Sequence, residues 1–419
     1  MTSSASEHFE AVVVGAGIVG AACALELVEA GLGVAVFEFG QPGGRSTAAC
    51  MGHIVVMDDS PAQLRLTRAS RTLWDTLADD LPAAVERDVC GTLWLAASDD
   101  EMMAVEAKRQ VYAAAGIEVE VLDSTALREA EPELAHDLLG ALRVPGDSVV
   151  YPPAAVDWML ARAAEMAASR GQTFELRPET PVDRVDAHRV VLHDGMRMAA
   201  KVVVDAAGVR ALALLPAASR RALAGHAIRP RKGHLVITDR HPGFCRHQLV
   251  ELGYLASAHG DSEATGAETS VAFNLQPRVT GQMLLGSSRQ FVDITRPPDR
   301  SVDSVVVRRM IDRARRFMPR IGELRAIRAW AGFRPSTDDH LPLIGPVPGG
   351  AGRALGGVVL AAGHEGLGIT TALATARLVA HHALHGTDVL DTPGGRLDPS
   401  CYRPDRPAPQ SESGESRDG

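Results

Sequence analysis

The stretch EAVVVGAGIVGAACALELVEAGLGVAVFE, Glu10 to Glu38, decides the fold. Ala11 to Val14 is a short β-branched run that reads as a buried strand. Gly15, Gly17 and Gly20 follow at G-x-G-x-x-G spacing, and an apolar helical segment opens at Ile18. Each glycine has its own task. Gly15 permits the tight turn, Gly17 lets backbone N–H groups approach a pyrophosphate, and Gly20 lets helix and strand pack closely. A second strand, Val34 to Phe37, ends on Glu38, placed where an acid accepts ribose hydroxyls. The same charge repels a ribose phosphate, so NADP is disfavoured, whereas NAD and FAD both fit.

The chain has 419 residues, enough for two or three domains, and a net charge of −9 spread without blocks. Nothing in that pattern points to nucleic acid or an anionic membrane surface. Cys23, Cys50, Cys90, Cys245 and Cys401 are scattered and form no C-x-x-C, so neither a zinc site nor an iron–sulfur cluster is expected. His234, His241 and His247 fit no compact ligand set, and no metal is expected there either. The cysteine pattern suits a reducing cytoplasm. MTSSASEHFE lacks the basic and apolar regions of a signal peptide, and no run reaches the ~18 apolar residues of a membrane span. The expected location is cytoplasmic, with peripheral contact at the inner membrane left open.

Beyond Glu38, FGQPGGRSTAACMGHIVVMDDSP begins glycine-rich and polar. Arg45, Ser46 and Thr47 can reach phosphates there, and His53 can stand near a bound ring. Ser60 and Pro61 read as the cap and first residue of a helix that carries Leu73, Leu77 and Leu81 and stops at Pro82. Thr92 to Ala96 reads as a strand and Glu101 to Ala115 as a helix ended by Gly116. Ile117 to Leu122 reads as a strand with Ile117, Val119 and Val121 on its apolar face. Asp123 caps a short helix, and Pro152 and Pro153 open a long one. From Gln172 the texture becomes meander-like, ending in KVVVDAAGV, whose small-residue exit lets a ligand approach at Ala207 and Gly208. Residues 232–290 alternate as in an antiparallel sheet, and Ser301 caps a helix ended by Pro319. Arg325 to Pro346, RAIRAWAGFRPSTDDHLPLIGP, reads as a strand running into a proline-bounded loop. Gly357 to Leu384 repeats the opening grammar of strand, glycine-rich turn and helix. The last ~15–20 residues have a disordered composition.

Three glycine-rich strand exits, near Gly15, Gly208 and Gly363, together with GFRPSTDDHLPLIGP, resemble the FAD-dependent amino-acid oxidases and dehydrogenases. That family includes D-amino-acid dehydrogenases, glycine oxidase and sarcosine oxidase. The resemblance covers about Phe9 to Leu384. The runs MGHIVVMDDSP, VAFNLQP, GQMLLGSSRQF and GHEGLGIT look most like the bacterial D-hydroxyproline dehydrogenase branch.

The resemblance implies an α/β fold: a discontinuous Rossmann-like FAD-binding domain over residues 8–86, 150–230 and 325–388. An α+β substrate domain with a mainly antiparallel sheet takes residues 87–149 and 231–324, and a tail residues 389–419. It also implies that Gly15, Gly17, Ile18, Gly20 and Glu38 bind the ADP half of FAD. Ser46 and Thr47 pass the pyrophosphate and flavin, a valine matching Val182 meets the adenine, and Ala207 and Gly208 form a second approach. Gly363 and the turn Gly366, Leu367, Gly368 and Ile369 point a helix N-terminus at the flavin's pyrimidine side.

By the same resemblance, Arg334 pairs with the substrate carboxylate, for which a permanently charged, bidentate fork is suited. Tyr254 is a second carboxylate partner, and His53 a third candidate catalytic residue. The chain departs from the family pattern twice: Asp338 stands where proline is usual, and His340 where glycine is common. The implied reaction is oxidation of the C–N bond of a small amino or imino acid, D-hydroxyproline or another D-amino acid being favoured. Electrons then pass to a quinone, a protein partner or dioxygen. A glycine- or sarcosine-type oxidase and an electron-transfer subunit of a larger complex are the alternatives. A lysine near the flavin can assist dioxygen, and Lys232 is the one lysine in a substrate-domain strand. The oligomeric state is left open.

Overall fold

The structure, a computed structural model, describes residues 8–223, 225–253, 269–292, 299–350, 353–386 and 388–407. Two large sheets organise it. The first eight strands in chain order are β1 (His8–Val14), β2 (Val34–Phe37), β3 (His53–Ile54), β4 (Thr92–Ala96), β5 (Glu120–Asp123), β6 (Gly140–Val144), β7 (Ser148–Val149) and β8 (Phe174–Arg177). Next come β9 (Val182–Asp186), β10 (Arg189–Leu192), β11 (Arg197–Asp205), β12 (Arg229–Thr238) and β13 (Gln248–Glu251). The last large-sheet strands are β14 (Ser270–Pro277), β15 (Met283–Phe291), β16 (Ala326–Ser336), β17 (Leu343–Gly350) and β18 (Arg353–Ala362).

The first sheet runs β17-β18-β11-β1-β2-β8, with β10 and β9 added at β11. β18, β11, β1, β2 and β8 are mutually parallel. Such a sheet must be covered on both faces, and its strands are correspondingly apolar throughout. Val12, Val13, Val34 and Val36 are fully buried. Helices Ile18–Glu29, Pro152–Ser169 and Gly368–Leu384 close one face with the small, apolar faces that their sequences supply. The second sheet runs β16-β12-β15-β14-β13-β4-β6-β5 and is antiparallel except where β13 pairs with β4. Helix Ser304–Phe317 seals one of its faces with Val306, Met310, Ala314 and Phe317, the last stacked on Phe273.

Several sequence expectations need correction. Helix Pro61–Thr76 begins at the expected Ser60 cap but ends well before Pro82. Its last turn gives way at Leu77, so Leu81 lies outside it. Strand β5 starts at Glu120 and buries Leu122 while Val121 is 40% exposed, so the apolar face is the opposite one. The Asp303 side chain, not Ser301, accepts the N–H groups of Val305 and Val306 to cap helix Ser304–Phe317. β8 lies parallel to β2; only β9, β10 and β11 form the expected meander. β16, assigned to the dinucleotide domain through the boundary at Arg325, pairs along its length with β12 and belongs to the second sheet.

Part of the expected tail is packed. Tyr402 is buried and donates to Ala62 O at 2.8 Å. Arg406 grips Asp339 with two bonds, 2.7 and 2.8 Å. Residues 408–419, where disorder is expected, and Tyr254 lie outside the described residues. Among the described residues, no helix is long and apolar enough to cross a membrane.

Candidate active site

β1, β11 and β18 lie side by side and parallel, so their carboxyl ends share one edge, the position where open α/β sheets bind ligands. Each ends in a glycine held at positive φ: Gly15 at 100°, Gly208 at 58° and Gly363 at 82°. Helix Ile18–Glu29 follows the first exit and helix Gly368–Leu384 the third. Neither carries a side-chain cap on its first turn or an acid within it, and both positive ends are turned to this edge.

A cavity of 810 Å³ opens between this edge and the second sheet. Gly15, Gly17, Ile18 and Glu38 line one end, with Val182, Ala207 and Gly208. Ser46, Thr47 and His53 line its middle, and Arg334 stands at the other end with Gly366, Leu367, Gly368 and Ile369. Two expected contacts are absent from the wall. Gly20 sits behind it, where a Cβ would fall 1.9 Å from Gly15 O, so its part is close helix–strand packing. Gly363 likewise makes a turn whose Cβ would lie 2.6 Å from Thr337 Cγ2.

The dinucleotide end is shaped by Glu38. Its buried carboxylate accepts the Ala16 N–H at 2.8 Å and the Gly40 N–H at 2.9 Å, which fixes the glycine turn against the end of β2. Thr47 Oγ1 accepts the Ile18 N–H at 3.1 Å, and Ser46 donates to Phe333 O at 2.7 Å. At the far end the Leu367 N–H is spent on His364 O, so that amide is not offered to an anion as the sequence suggests. The Thr370 hydroxyl donates to His53 O at 2.9 Å and ties β3 to the last helix. Burial pushes His53 down to about 4 and His364 to about 3, so both imidazoles are neutral near pH 7.

Arg334 reaches across β12 to donate from Nη1 to Ser288 O at 2.9 Å. It also lies close to the turn before the last helix, for a Cβ on Gly366 would be 3.7 Å from its Nε. Directly opposite it on β12 is Arg231, which the sequence reading missed. Strand parity holds the available signal: Arg231, Gly233 and Leu235 line the cavity, whereas Lys232 is outside its wall, 3.7 Å from Asp299 Oδ2. Arg231 Nη2 donates to Glu365 Oε2 at 2.9 Å. Among the described residues, no cluster of His, Cys, Asp or Glu could hold a metal.

Glycine turns at the carboxyl ends of parallel strands, two helix N-termini beside them, the buried Glu38 carboxylate and Arg334 in the same wall make the cavity suited to a dinucleotide with a charged small molecule beside it. Comparison with known proteins agrees. The glycine oxidase of Geobacillus kaustophilus is 27% identical over 389 residues, covering 90% of this chain and 93% of that protein. Its crystal structure superposes with a TM-score of 0.74 at 26% identity, over 90% of this chain and 95% of that one. Hydrogen cyanide synthase subunit HcnC of Pseudomonas aeruginosa is 25% identical, covering 88% and 91% of the two chains. L-proline dehydrogenase from P. horikoshii shares the fold, with a TM-score of 0.79 at 23% identity over 96% and 98%. The model of the FAD dependent oxidoreductases matches residues 10–382, a span that takes in both sheets and both ends of the cavity, and the chain belongs to that family.

Proposed function

We propose that the protein oxidises the C–N bond of a small amino or imino acid to an imine. The observation that carries this reading is Arg334, whose guanidinium is anchored on Ser288 O beside the Gly366 turn, in the same cavity as the dinucleotide end. Gly15, Gly17, Ile18 and Glu38 would hold the ADP half of FAD, with Val182 at the adenine and Ala207 and Gly208 at the second approach. Ser46 and Thr47 would border the pyrophosphate, and the Gly366–Ile369 turn the pyrimidine side. FAD, when bound, supplies the two-electron acceptor.

The chain's own contribution is placement. Arg334 pairs with the substrate carboxylate and so fixes the α-carbon, and orientation of this kind accounts for much of such a reaction's acceleration. His53, kept neutral by burial, offers an uncharged hydrogen-bonding edge. Tyr254 remains a candidate second partner for the carboxylate. D-Hydroxyproline or another D-amino acid is favoured by the MGHIVVMDDSP and GHEGLGIT runs, and glycine or sarcosine by the glycine oxidase relatives. The electron acceptor is a quinone, a protein partner or dioxygen.

Similarity to a hydrogen cyanide synthase subunit supports a second reading, an FAD-bearing subunit of a larger dehydrogenase. Anaerobic bleaching by a panel of D- and L-amino and imino acids separates the two. The first reading expects at least one donor to bleach the isolated chain. FAD uptake with no bleaching by any of them would support the second.

A further inference from the structure

Two residues in this site hold a backbone conformation that side chains disfavour. His340 has φ 59° and Glu365 φ 48°. They come from different segments, the loop between β16 and β17 and the turn before the last helix, and they touch. His340 Nδ1 lies 3.1 Å from Glu365 Oε1, and both residues line the cavity. Such strain persists only where surrounding structure imposes it, and it gathers at functional sites.

The surroundings impose it here. The Glu365 N–H donates to Pro335 O at 2.9 Å. Its carboxylate accepts from Arg231 Nη2 at 2.9 Å and from the Ser336 hydroxyl. Burial opposes its charge, yet His340, Arg231 and Ser336 bring the carboxyl down to about 2. An ionised Glu365 can only accept, so the proton on Nδ1 of His340 is fixed and the neutral ring carries its lone pair on Nε2.

Other charges around the imidazole come from several elements. Arg231 on β12 lowers its proton affinity and Asp59, ahead of helix Pro61–Thr76, raises it. Asp338 and Asp339 beside it are paired with Arg229 and Arg406. The Glu365 hydrogen bond is the largest influence and lifts His340 above the ordinary histidine value, with burial acting against it.

A substrate carboxylate on Arg334 would sit beside this pair, since Arg334 packs against Gly366, the residue after Glu365. Amino acids enter as ammonium ions, and C–N oxidation needs the nitrogen lone pair. We infer that His340 accepts the proton of the substrate's ammonium group, with Glu365 as the positioning residue that sets its tautomer. The inference rests on the amino-acid reading above. In the step, one N–H bond of the ammonium breaks and one N–H bond forms at His340 Nε2. No electron changes owner.

The test uses the FAD-loaded enzyme and its anaerobic bleaching rate with glycine, sarcosine and D-proline, from about pH 6 to about pH 10, a range that brackets the ordinary histidine value. His340→Gly keeps the backbone, because glycine adopts this φ without strain, and removes the imidazole. The wild-type rate should rise with pH through a limb above about 6.5. In His340→Gly the rate near pH 7 should fall by about 100-fold, the loss of one general base. The deficit should narrow as the pH approaches the substrate's own amine value, and added imidazole should restore part of the rate. Glu365→Gln should move the limb to lower pH, since the carboxylate charge that raises His340 is gone. FAD content and thermal midpoint of each variant report folding separately. His340→Gly with the wild-type pH profile and no response to imidazole would overturn the inference alone. Wild-type enzyme bleached by none of these donors, nor by D-hydroxyproline or any other member of the D- and L-amino and imino acid panel, would instead overturn the amino-acid reading beneath it.

Discussion

Replacing Gly233 by alanine tests the geometry around Arg334 without altering a charge. Gly233 lies on β12, between the strand of Arg334 and the strand of Ser288. A Cβ there would meet Arg334 Nη1 at 2.3 Å, Cζ at 2.8 Å and Nη2 at 2.9 Å. Unstrained contacts begin near ~3.5 Å, so the guanidinium must retreat by about 1 Å. The backbone at Gly233 is ordinary strand, and the obstructing atoms belong to a flexible side chain, so the fold should survive. The 2.9 Å bond to Ser288 O should not. A displacement of about 1 Å at a reacting centre costs on the order of 100-fold in rate. Gly233→Ala should therefore bind FAD at wild-type stoichiometry, melt normally and bleach about 100-fold more slowly in anaerobic rapid mixing with the best amino-acid donor. A fully loaded variant whose rate and half-saturation stay within about threefold of wild type would refute the placement of the carboxylate fork.

Further substitutions probe other parts of the account. Arg334→Ala should raise the half-saturating donor concentration by about 100-fold, since truncating one member of a buried charge pair costs about 2–5 kcal/mol. Arg334→Lys should recover little of that, because the ammonium lacks the fork; a donor titration of both variants reads the difference. Gly20→Ala forces a carbon to 1.9 Å from Gly15 O and should yield colourless or insoluble protein, checked by the FAD absorbance of purified material. Arg406→Ala leaves the partly buried Asp339 without its partner and should cost about 1.5–3 kcal/mol of stability in denaturant unfolding. Burial opposes the charge of Asp339, but the Arg406 hydrogen bonds win and hold its pKa below the usual value. The pair's contribution is thus present above about pH 4 and lost as pH falls through the lower folded value. Melting curves at stepped acidic pH should show that loss in the wild type and not in Arg406→Ala.

The sequence is most legible where one local pattern and one physical need coincide. The Gly15–Glu38 unit, the Thr92–Ala96 strand and the Ser60 cap are of this kind, and so is the Asp123 cap, which accepts the N–H groups of Thr125 and Ala126. Pairing between distant strands is not local. RAIRAWAGFRPS reads as a strand, but nothing within it says that β12 lies alongside, and the boundary at Arg325 fails for that reason. At β5 the alternation reads correctly as strand, yet which face is buried depends on β6 and helix Ser124–Ala130, and Leu122 goes inward instead of Val121. Asp303 outcompetes Ser301 as cap because the helix starts at Ser304, a register that the sequence leaves open within a turn. The candidate site shows the same division. Arg334 is visible through its motif, whereas nothing in GHEGLGIT alone says that Arg231, Ser336 and His340 converge on the Glu365 carboxylate.

The central claim is that one cavity holds FAD and, at Arg334, the carboxylate of an amino acid whose C–N bond is oxidised. D-Proline and pyrrolidine share the ring nitrogen and the bond to be oxidised, and differ in the carboxylate. Anaerobic mixing of the yellow holoenzyme with each should bleach it with D-proline and leave it coloured with pyrrolidine at the same concentration. Equal bleaching by both, or bleaching by pyrrolidine alone, would contradict the account.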